Sequence, residues 1–382
     1  MLFVLLVAAP LSFGEARALA DRRNPGLLAT QAGIAVARAG VDAAGQFTNP
    51  TLSTSYGKDD PKLQVGLDVR VPIFGQRGAA VASAEAQMGV AESEAEAERA
   101  RLHATVRRLY SAAWAAAGQA QVAAESARTA AELADLAAQR FRTGSAAQIE
   151  AEQSALASHR AAQDKLDRDA EALAALRELE ATLGTSVEGL EPPPRPEAPP
   201  ESDLLKMAQR HPELQVLRRQ QQAALTKADE ERAAIRPLPT LSLVAQRYED
   251  PAVSLGLRGT IAFEVPLLSF NRGRVQEQVQ TASRAELQAL ATLQRLSGQV
   301  RAARTRWAAA SARAAFYGGR FLESARRVLD MARAGYRIGR TSLIAVLQAQ
   351  SDLSSANSRS LDAALDTQRA LADLEEAIGA DL

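Results

Sequence analysis

The sequence predicts a mainly α-helical chain with a small transmembrane β part, and three observations support this fold class. Alanine is abundant while aromatic residues make up only 4% of the 382 residues, a composition that suits long helices packed closely along their lengths. The two halves of the chain carry matching segments in the same order. Each half also contains a run that alternates apolar and polar residues over about ten positions, the length a tilted strand needs to cross a bilayer.

The duplication sets the order of the predicted elements. The stretch "RNPGLLATQAG" from Arg23 pairs with "RHPELQVLRRQ" from Arg210, and each leads through an amphipathic helix to the motif "PTLS". The same interval of 195 residues separates Gly78 from Gly273, Gly144 from Gly339, and Gly184 from Gly379. The long helix hairpins of the two copies therefore have equal lengths, as hairpins that lie side by side must have. We expect these helices to form one tunnel, an α-barrel.

Both copies are expected to contain N-terminal helices, a β-hairpin and a pair of long helices. The first helix of each pair should run from about Arg77 to Phe141 in the first copy and from about Arg272 to Tyr336 in the second. Each such helix would be about 95 Å long at the usual rise per residue. Turns at Gly144 and Gly339 should form the far tips. The predicted boundaries are 10–48, 49–74 and 75–185 for the first copy, 186–203 for a proline-rich linker, and 204–237, 238–269 and 270–382 for the second copy.

Residues 1–9 are predicted to be the remnant of a secretory signal. The stretch "MLFVLLVAAP" is apolar and ends in small residues, although it lacks a basic n-region. A surface-docked or buried N-terminal segment is the alternative. The sequence has no run of eighteen apolar residues, so no transmembrane helix is predicted.

The alternating runs predict a membrane β-barrel with a wet lumen. Each run should pair with a second strand, which gives four strands per chain. Four strands cannot close a barrel and lipid tolerates no open edge, so three chains should combine into a trimeric 12-stranded barrel. The residues expected to face lipid are Val65, Leu67, Val69, Val71, Leu255, Leu257, Ile261 and Phe263. Those expected to face the lumen are Gln64, Asp68, Arg70, Ser254, Arg258 and Glu264.

The most specific motif is "YRIGRTSLIAVLQAQSDL" from Tyr336. Together with the two X-Pro helix starts, "NPTLS" and "LPTLS", and "VPIFGQRG" and "VPLLSFNRG", it resembles the TolC-like outer-membrane factor family of tripartite efflux systems over essentially the whole chain. In the first copy, "FRTGSAAQIEAEQSAL" is similar to a variant of the heavy-metal (CzcC- and CusC-like) branch.

The resemblance implies a homotrimeric channel in the cell outer membrane, with a tunnel that extends into the periplasm. Such a channel is a passive conduit for small molecules or metal ions and is not an enzyme. Its partners would be outer-membrane lipid, a periplasmic membrane-fusion adaptor and an inner-membrane transporter of the RND type, whose docking opens the tip.

The resemblance also implies a gate at the tip. By position, Phe141 and Tyr336 fall at the aromatic tip position, next to the turn glycines Gly144 and Gly339, and Glu150 falls at the acidic position. The matching position of the second copy, six residues after Gly339, holds Ala345. An acidic ring in the trimer would therefore come from Glu150 alone. Arg340 and Thr341 are candidate polar partners in the closed state. The alternative is that Glu150 and Arg340 are ordinary solvated residues.

Other kinds of site find no support in the sequence. The 45 basic and 45 acidic residues balance, so nothing indicates a nucleic-acid partner. There is no cysteine, and His103, His159 and His211 lack metal-ligand spacing. No phosphate-binding glycine array or catalytic triad is present. We therefore expect no cofactor, no metal site and no catalytic residue, and we expect His211 to cap a helix or lie at the surface.

Two other functions remain open at this point. A non-channel periplasmic coiled-coil scaffold or adaptor would account for the long helices but gives the alternating strands no role. A type I protein-secretion conduit would share the channel architecture, so the fold alone does not distinguish it from an efflux channel.

Overall fold

The computed structural model describes residues 10–249, 255–264 and 270–382. It divides into two compact units. The first comprises Glu98–His211, Gln294–Leu382 and the described part of Met1–Leu28, and the second comprises Ala29–Ala97 and Pro212–Leu293. Within the described ranges, no helix is both long and apolar enough to span a bilayer.

The helices of the first copy follow the predicted order. They are α1 (Phe13–Arg23), α2 (Pro25–Ala44), α3 (Gln76–Arg142) and α4 (Gln148–Leu183). Ser12 caps α1 in a reciprocal capping box with Glu15, which satisfies two backbone donors at the helix start. Helix α2 begins at Pro25, where the fixed φ of proline suits the first helical position. The 67 residues of α3 form one uninterrupted helix, as the sequence predicts.

The helices of the second copy depart from the prediction at two places. They are α5 (Glu201–Ala208), α6 (Pro212–Ala234), α7 (Arg272–Phe316), α8 (Leu322–Arg337) and α9 (Leu343–Ile378). Two helices, α5 and α6, therefore stand where one was predicted, and α5 begins within the stretch assigned to the linker. The predicted single helix from Arg272 to Tyr336 is wrong, because a π-helical segment, Tyr317–Phe321, separates α7 from α8.

Two consecutive glycines account for this interruption. Gly319 has non-helical backbone angles (φ −103°, ψ −126°), and glycine in a helix interior costs about 1 kcal/mol relative to alanine. The flanking rings of Phe316, Tyr317 and Phe321 cluster, with centroids 5.2 to 5.9 Å apart. The aromatic cluster and the weak helical preference of Gly318 and Gly319 together favour the break.

Glycine turns end the helices at equivalent places in the two copies. Gly144 and Gly339 have φ of 70° and 74°, and the C-caps Gly184 and Gly379 have φ of 66° and 68°, a left-handed conformation that favours glycine. The duplication extends to a side-chain contact. Oε1 of Glu180 accepts a hydrogen bond from the Val187 amide at 2.8 Å, and Oε1 of Glu375 accepts one from the Leu382 amide at 3.0 Å.

The second unit contains a four-stranded antiparallel sheet in the order β1-β2-β3-β4. The strands are β1 (Thr51–Tyr56), β2 (Leu63–Arg70), β3 (Pro239–Arg247) and β4 (Leu255–Phe263). Each copy of the duplication supplies one hairpin. This agrees with the predicted fold class, which is mainly helical with four strands per chain.

The first unit is held together by small apolar clusters and by a buried ion pair. Arg107 donates to Glu375 at 2.5 and 2.8 Å and to Gln368 at 3.2 Å, and its guanidinium lies 4.3 Å from the centroid of the Phe13 ring. His211 immediately precedes α6 and does not lie at the surface, so the surface alternative for this residue is wrong. This side chain is buried, and its Nε2 lies 2.9 Å from the Glu376 carbonyl oxygen of α9.

Candidate functional site

The tip of the first copy is the turn between α3 and α4, residues 143–147. The Gly144 amide donates to the Phe141 carbonyl at 3.0 Å and the Ser145 amide donates to the Arg140 carbonyl at 2.8 Å. These bonds satisfy carbonyl groups that the helix end would otherwise leave unpaired. Phe141, one of the two predicted aromatic tip residues, remains 42% exposed.

The tip of the second copy, residues 338–342, has the same turn with a different surrounding. The Gly339 amide donates to the Tyr336 carbonyl at 3.0 Å and the Arg340 amide donates to the Gly335 carbonyl at 2.8 Å. Here the aromatic residue Tyr336 is only 1% exposed. It packs in a cluster with Leu133 of α3, Leu329 of α8, and Leu343, Val346 and Ala349 of α9.

Arg140 joins the two tips. One guanidinium nitrogen donates to the Tyr336 carbonyl oxygen at 2.9 Å and the other donates to the Ser145 carbonyl oxygen at 3.3 Å. The guanidinium carbon lies 4.6 Å from the centroid of the Tyr336 ring, within the range of a cation–π contact. A single side chain at the end of α3 therefore contacts both turns.

Sequence reasoning missed Arg140. Two features of the sequence could have pointed to Arg140. It immediately precedes the aromatic tip residue Phe141, and the matching position in the second copy is not basic but Gly335. A basic residue in the last turn of a helix is common, and many arginines in this chain lie at helix surfaces. The sequence therefore gave no reason to prefer Arg140 over Arg142.

The predicted acidic residue Glu150 lies in the first turn of α4, where the helix dipole favours a negative charge. Its charge acts on Tyr336. Burial raises the pKa of the Tyr336 hydroxyl, the positive charge of Arg140 opposes this, and the negative charge of Glu150 raises the pKa further. The structure thus brings Arg140, Glu150 and Tyr336 together.

The two candidate polar partners from the second tip lie in different environments. Thr341 packs against Gly335, so any side chain at position 335 would have to displace the threonine side chain. The Arg340 side chain is exposed and forms no ion pair with any part of the chain that the structure describes. Within one chain, therefore, Arg340 does not hold the tip.

The sheet separates apolar from polar side chains. Directly paired residues share a face, as in the row Leu52, Leu67 and Leu243 and the row Thr51, Asp68 and Ser242. The apolar face contains these predicted lipid-facing residues: Val65, Leu67, Val69, Leu255, Leu257, Ile261 and Phe263. The opposite face contains these predicted lumen-facing residues: Gln64, Asp68, Arg70 and Arg258.

Three predicted barrel residues lie beyond the strands. Val71 follows β2 and Glu264 follows β4, while Ser254 lies outside the described residues. On the polar face Ser242 donates a hydrogen bond to the Asp68 carboxylate. On the apolar face large side chains are exposed, among them Leu257 at 73% and Leu255 at 67%.

Sequence comparison identifies the family. The model of the family described as "Outer membrane efflux protein" matches residues 17–185 and 204–380. The chain belongs to this family. No curated protein is detectably similar to it in sequence. Residues 17–185 and 204–380 coincide with the two copies of the duplication, and the unmatched residues between them fall in the linker.

Solved outer-membrane proteins have the same fold. VceC from Vibrio cholerae is 16% identical with a TM-score of 0.74, covering 97% of this chain and 96% of that one. The CmeC outer membrane channel of Campylobacter jejuni is 15% identical with a TM-score of 0.75, covering 96% and 85%. CusC is 20% identical with a TM-score of 0.73, covering 96% and 92%. Since CusC is no more similar in structure than the others, the heavy-metal branch stays a prediction.

Proposed function

We propose that this outer membrane efflux protein acts as a homotrimer, a passive conduit that exports small molecules or metal ions within a tripartite efflux system. A periplasmic adaptor and an inner-membrane pump of the RND type open the conduit by docking at its tip. The observation that carries the proposal is the four-stranded sheet, which combines an exposed apolar face with two open edges.

Such a sheet is suited to lipid only when its edges are paired. The apolar face can lie in hydrocarbon, but the unpaired backbone groups along β1 and β4 cannot, since each would cost several kcal/mol there. Joining β4 of one chain to β1 of the next removes both edges. Three chains then supply twelve strands, enough to enclose a lumen lined by the polar face.

Two unpartnered seams on the helices support association around a ring. On α4 the exposed apolar residues Ile149, Leu156, Leu166 and Leu173 occupy a and d positions of one heptad frame. A second seam runs from the π segment along α8 to its C-cap. Its exposed apolar residues also occupy a and d positions of one heptad frame: Phe321, Val328, Met331 and Ile338. A contact between the α4 seam of one chain and the α8 seam of the next would be head-to-tail, and such contacts form a closed ring when the rotation between neighbours permits.

The tip supports a gate that rests closed. Arg140 holds the first turn to the second within each chain, and Glu150 lies near the same aromatic side chain. The exposed Arg340 of each chain is free to contact a neighbouring copy. In this proposal, docking of the adaptor separates the two turns by breaking the Arg140 contacts.

The first test is the mass of the particle. The protein, expressed behind a secretory signal sequence, is extracted from outer membranes in mild detergent and measured by light scattering. A protein mass of about 122 kDa, three times the 40.6 kDa chain, is expected. A monomer or dimer in the periplasmic fraction would contradict the proposal and favour the scaffold.

The second test concerns the transported species. The protein is expressed in a strain that lacks its own outer-membrane channels, with cognate adaptor and pump. Restored resistance to a drug or a metal salt is expected. Secretion of a protein substrate without such resistance would favour the type I conduit instead.

A further inference from the structure

A groove in the first unit is lined by α3, α8 and α9. It has a volume of about 250 Å³, somewhat below the range of drug-sized ligand pockets. Its lining includes Glu125 and Ser126 of α3, Arg326 and Arg333 of α8, and Gln350 of α9. The groove is independent of the tip, since neither tip turn contributes to its lining.

Gln350 lines this groove and has an unused acceptor. The side chain is 8% exposed, and its Nε2 donates to the Ser126 carbonyl at 2.9 Å. Its Oε1 is buried and accepts no hydrogen bond from the residues that the structure describes. A buried acceptor without a donor costs about 1–3 kcal/mol, so an occupant that supplies an N–H or O–H group is favoured here.

The charged side chains that line the groove form no described ion pair, although Glu125 accepts one long hydrogen bond, from Gln121 Nε2 at 3.5 Å. Arg326 and Arg333 stand two turns apart on one flank of α8, with Asp330 between them, and Glu125 lies opposite. No ion pair joins any of these four side chains to another part of the described chain. By contrast, the neighbouring Arg327 points away from the groove and pairs with Glu323 at 2.7 Å.

The first copy contains no equivalent of this arrangement. The positions that match Arg326, Arg333 and Gln350 hold Ala131, Ala138 and Ala155. Alanine is the residue that suits close packing of long helices, so Arg326, Arg333 and Gln350 are not required by the duplicated scaffold. Asp330, in contrast, is matched by Asp135 of the first copy.

We propose that this groove binds a small zwitterionic molecule, one that carries both an ammonium and a carboxylate group. Two cations and two anions line the groove, so an ion of either sign meets repulsion as well as attraction. A net-neutral dipolar ligand pairs its carboxylate with Arg326 and Arg333 and its ammonium with Glu125 and Asp330. The three donors of an ammonium also satisfy Gln350 Oε1.

The test is calorimetric titration of the detergent-purified full-length protein with three matched probes. The probe γ-aminobutyrate carries both charges, while butyrate and butylamine carry one each on the same carbon chain. Binding of γ-aminobutyrate at least about tenfold tighter than that of either ion is expected, a difference that corresponds to one lost charged contact. Equal binding of butyrate or butylamine, or no heat with γ-aminobutyrate, overturns the proposal.

Variants locate the site. The double variants Arg326→Gln with Arg333→Gln, and Glu125→Gln with Asp330→Asn, should each weaken γ-aminobutyrate binding about tenfold or more. Arg327→Gln is the matched control, because it removes an adjacent arginine outside the groove, and it should leave binding unchanged. All three proteins should melt at the same temperature without ligand. An equal loss in the Arg327 control would place binding elsewhere and overturn the assignment.

Discussion

The two copies of the duplication have kept their lengths but differ in regularity. In the first, α3 runs through Ala123 and Ala124 without interruption, while the matched positions Gly318 and Gly319 break the helix between α7 and α8. At the tips, Phe141 is exposed and Tyr336 is buried. The first copy therefore provides a continuous helix with an exposed tip, whereas the second holds the packed tip and the break. Matched substitutions in the two copies test this difference.

The largest difference is expected at a pair of matched glutamates. Glu375 is 4% exposed and pairs with the buried Arg107, whereas its counterpart Glu180 pairs with the exposed Arg177 and accepts the Val187 amide. Glu375→Ala should lower the free energy of unfolding by about 3–5 kcal/mol, because it leaves Arg107 as a buried unpaired charge. Denaturant unfolding of the detergent-purified protein measures the loss. Glu180→Ala is the control and should lose clearly less; equal losses would show that the ion pair is not special to the second copy.

The two β-hairpins, in contrast, should respond alike. Val69→Arg in the first and Phe263→Arg in the second put a charge on the apolar face near the ends of β2 and β4, at a cost below the roughly 2–4 kcal/mol of the bilayer midplane. Both should reduce the amount of heat-stable oligomer in outer membranes, as read on gels. Gln64→Arg and Thr260→Arg change the polar face and should be tolerated. Equal losses on both faces would contradict the barrel assignment.

At the tip, Arg140→Ala should increase the open probability of the channel in planar bilayers. The variant loses two charge-assisted hydrogen bonds in a partly exposed site, about 1–2 kcal/mol per chain. Arg142→Ala is the control, since the only contact described for this side chain is with Ala138 in its own helix. Arg140→Lys keeps the charge but loses the forked donors and should lie between. Similar currents from the Arg140 and Arg142 alanine variants would remove Arg140 from the gate.

The break in the second copy should be removable. Replacing Gly318 and Gly319 by alanine restores the residues of the first copy, and no neighbouring atom blocks either Cβ. About 1 kcal/mol of helical preference is gained at each position. Hydrogen exchange of the amides around residues 315–322 should slow. The control Gly298→Ala lies in the regular part of α7 and should leave that exchange unchanged. Unchanged exchange in the double variant would show that the aromatic cluster, not glycine, causes the break.

The smallest effect is a pH dependence near His103, whose second-copy counterpart is glycine. His103 lies 3.0 Å from Asp21 and 3.2 Å from Asp381, with Arg17 and Arg99 also paired to these carboxylates. The hydrogen bond to Asp381 and the contact with Asp21 raise the pKa of His103 despite burial. Burial raises the pKa values of Asp21 and Asp381, but the hydrogen bonds and charges of their basic partners together outweigh it, so both pKa values are lowered.

The sign follows from these directions. A raised His103 pKa stabilises the fold below pH 6.5 and this contribution disappears as the pH rises through the folded-state pKa. The lowered aspartate pKa values contribute above pH 3.8 and are lost as the pH falls further. Melting temperatures of the wild type should therefore fall between pH 6 and 8 relative to those of His103→Gln. Parallel profiles would show that the histidine does not titrate on unfolding.

Sequence reasoning performed well where a local rule decides the structure. Proline at the first helical position predicted the starts of α2 and α6, and left-handed glycines predicted the two tip turns. Alternation predicted the two faces of the sheet, because the side-chain period of a strand is two residues. The lengths of α3 and its hairpin followed from the same local patterns.

It performed poorly where partners lie far apart in the chain. Arg107 and Glu375 are separated by 268 residues, and 45 basic and 45 acidic residues offer far too many possible pairs to select this one. Arg140 was missed because it too has too many possible partners: its acceptors are main-chain carbonyl groups, which every residue possesses. The break at Gly319 depends on ring packing as well as on glycine, and helical propensity alone did not predict it.

The chemistry of the Arg140 contact determines which substitutions the tip tolerates. Both of its hydrogen bonds end on main-chain oxygens, of Tyr336 and of Ser145, so replacing either side chain leaves the acceptor in place. Loss of a bonding side chain can therefore abolish these bonds only at Arg140, whereas a pair of side chains would offer two such positions. Genetic screens for leaky variants should return the Arg140 codon repeatedly, and drift at the receiving positions should leave the two bonds intact.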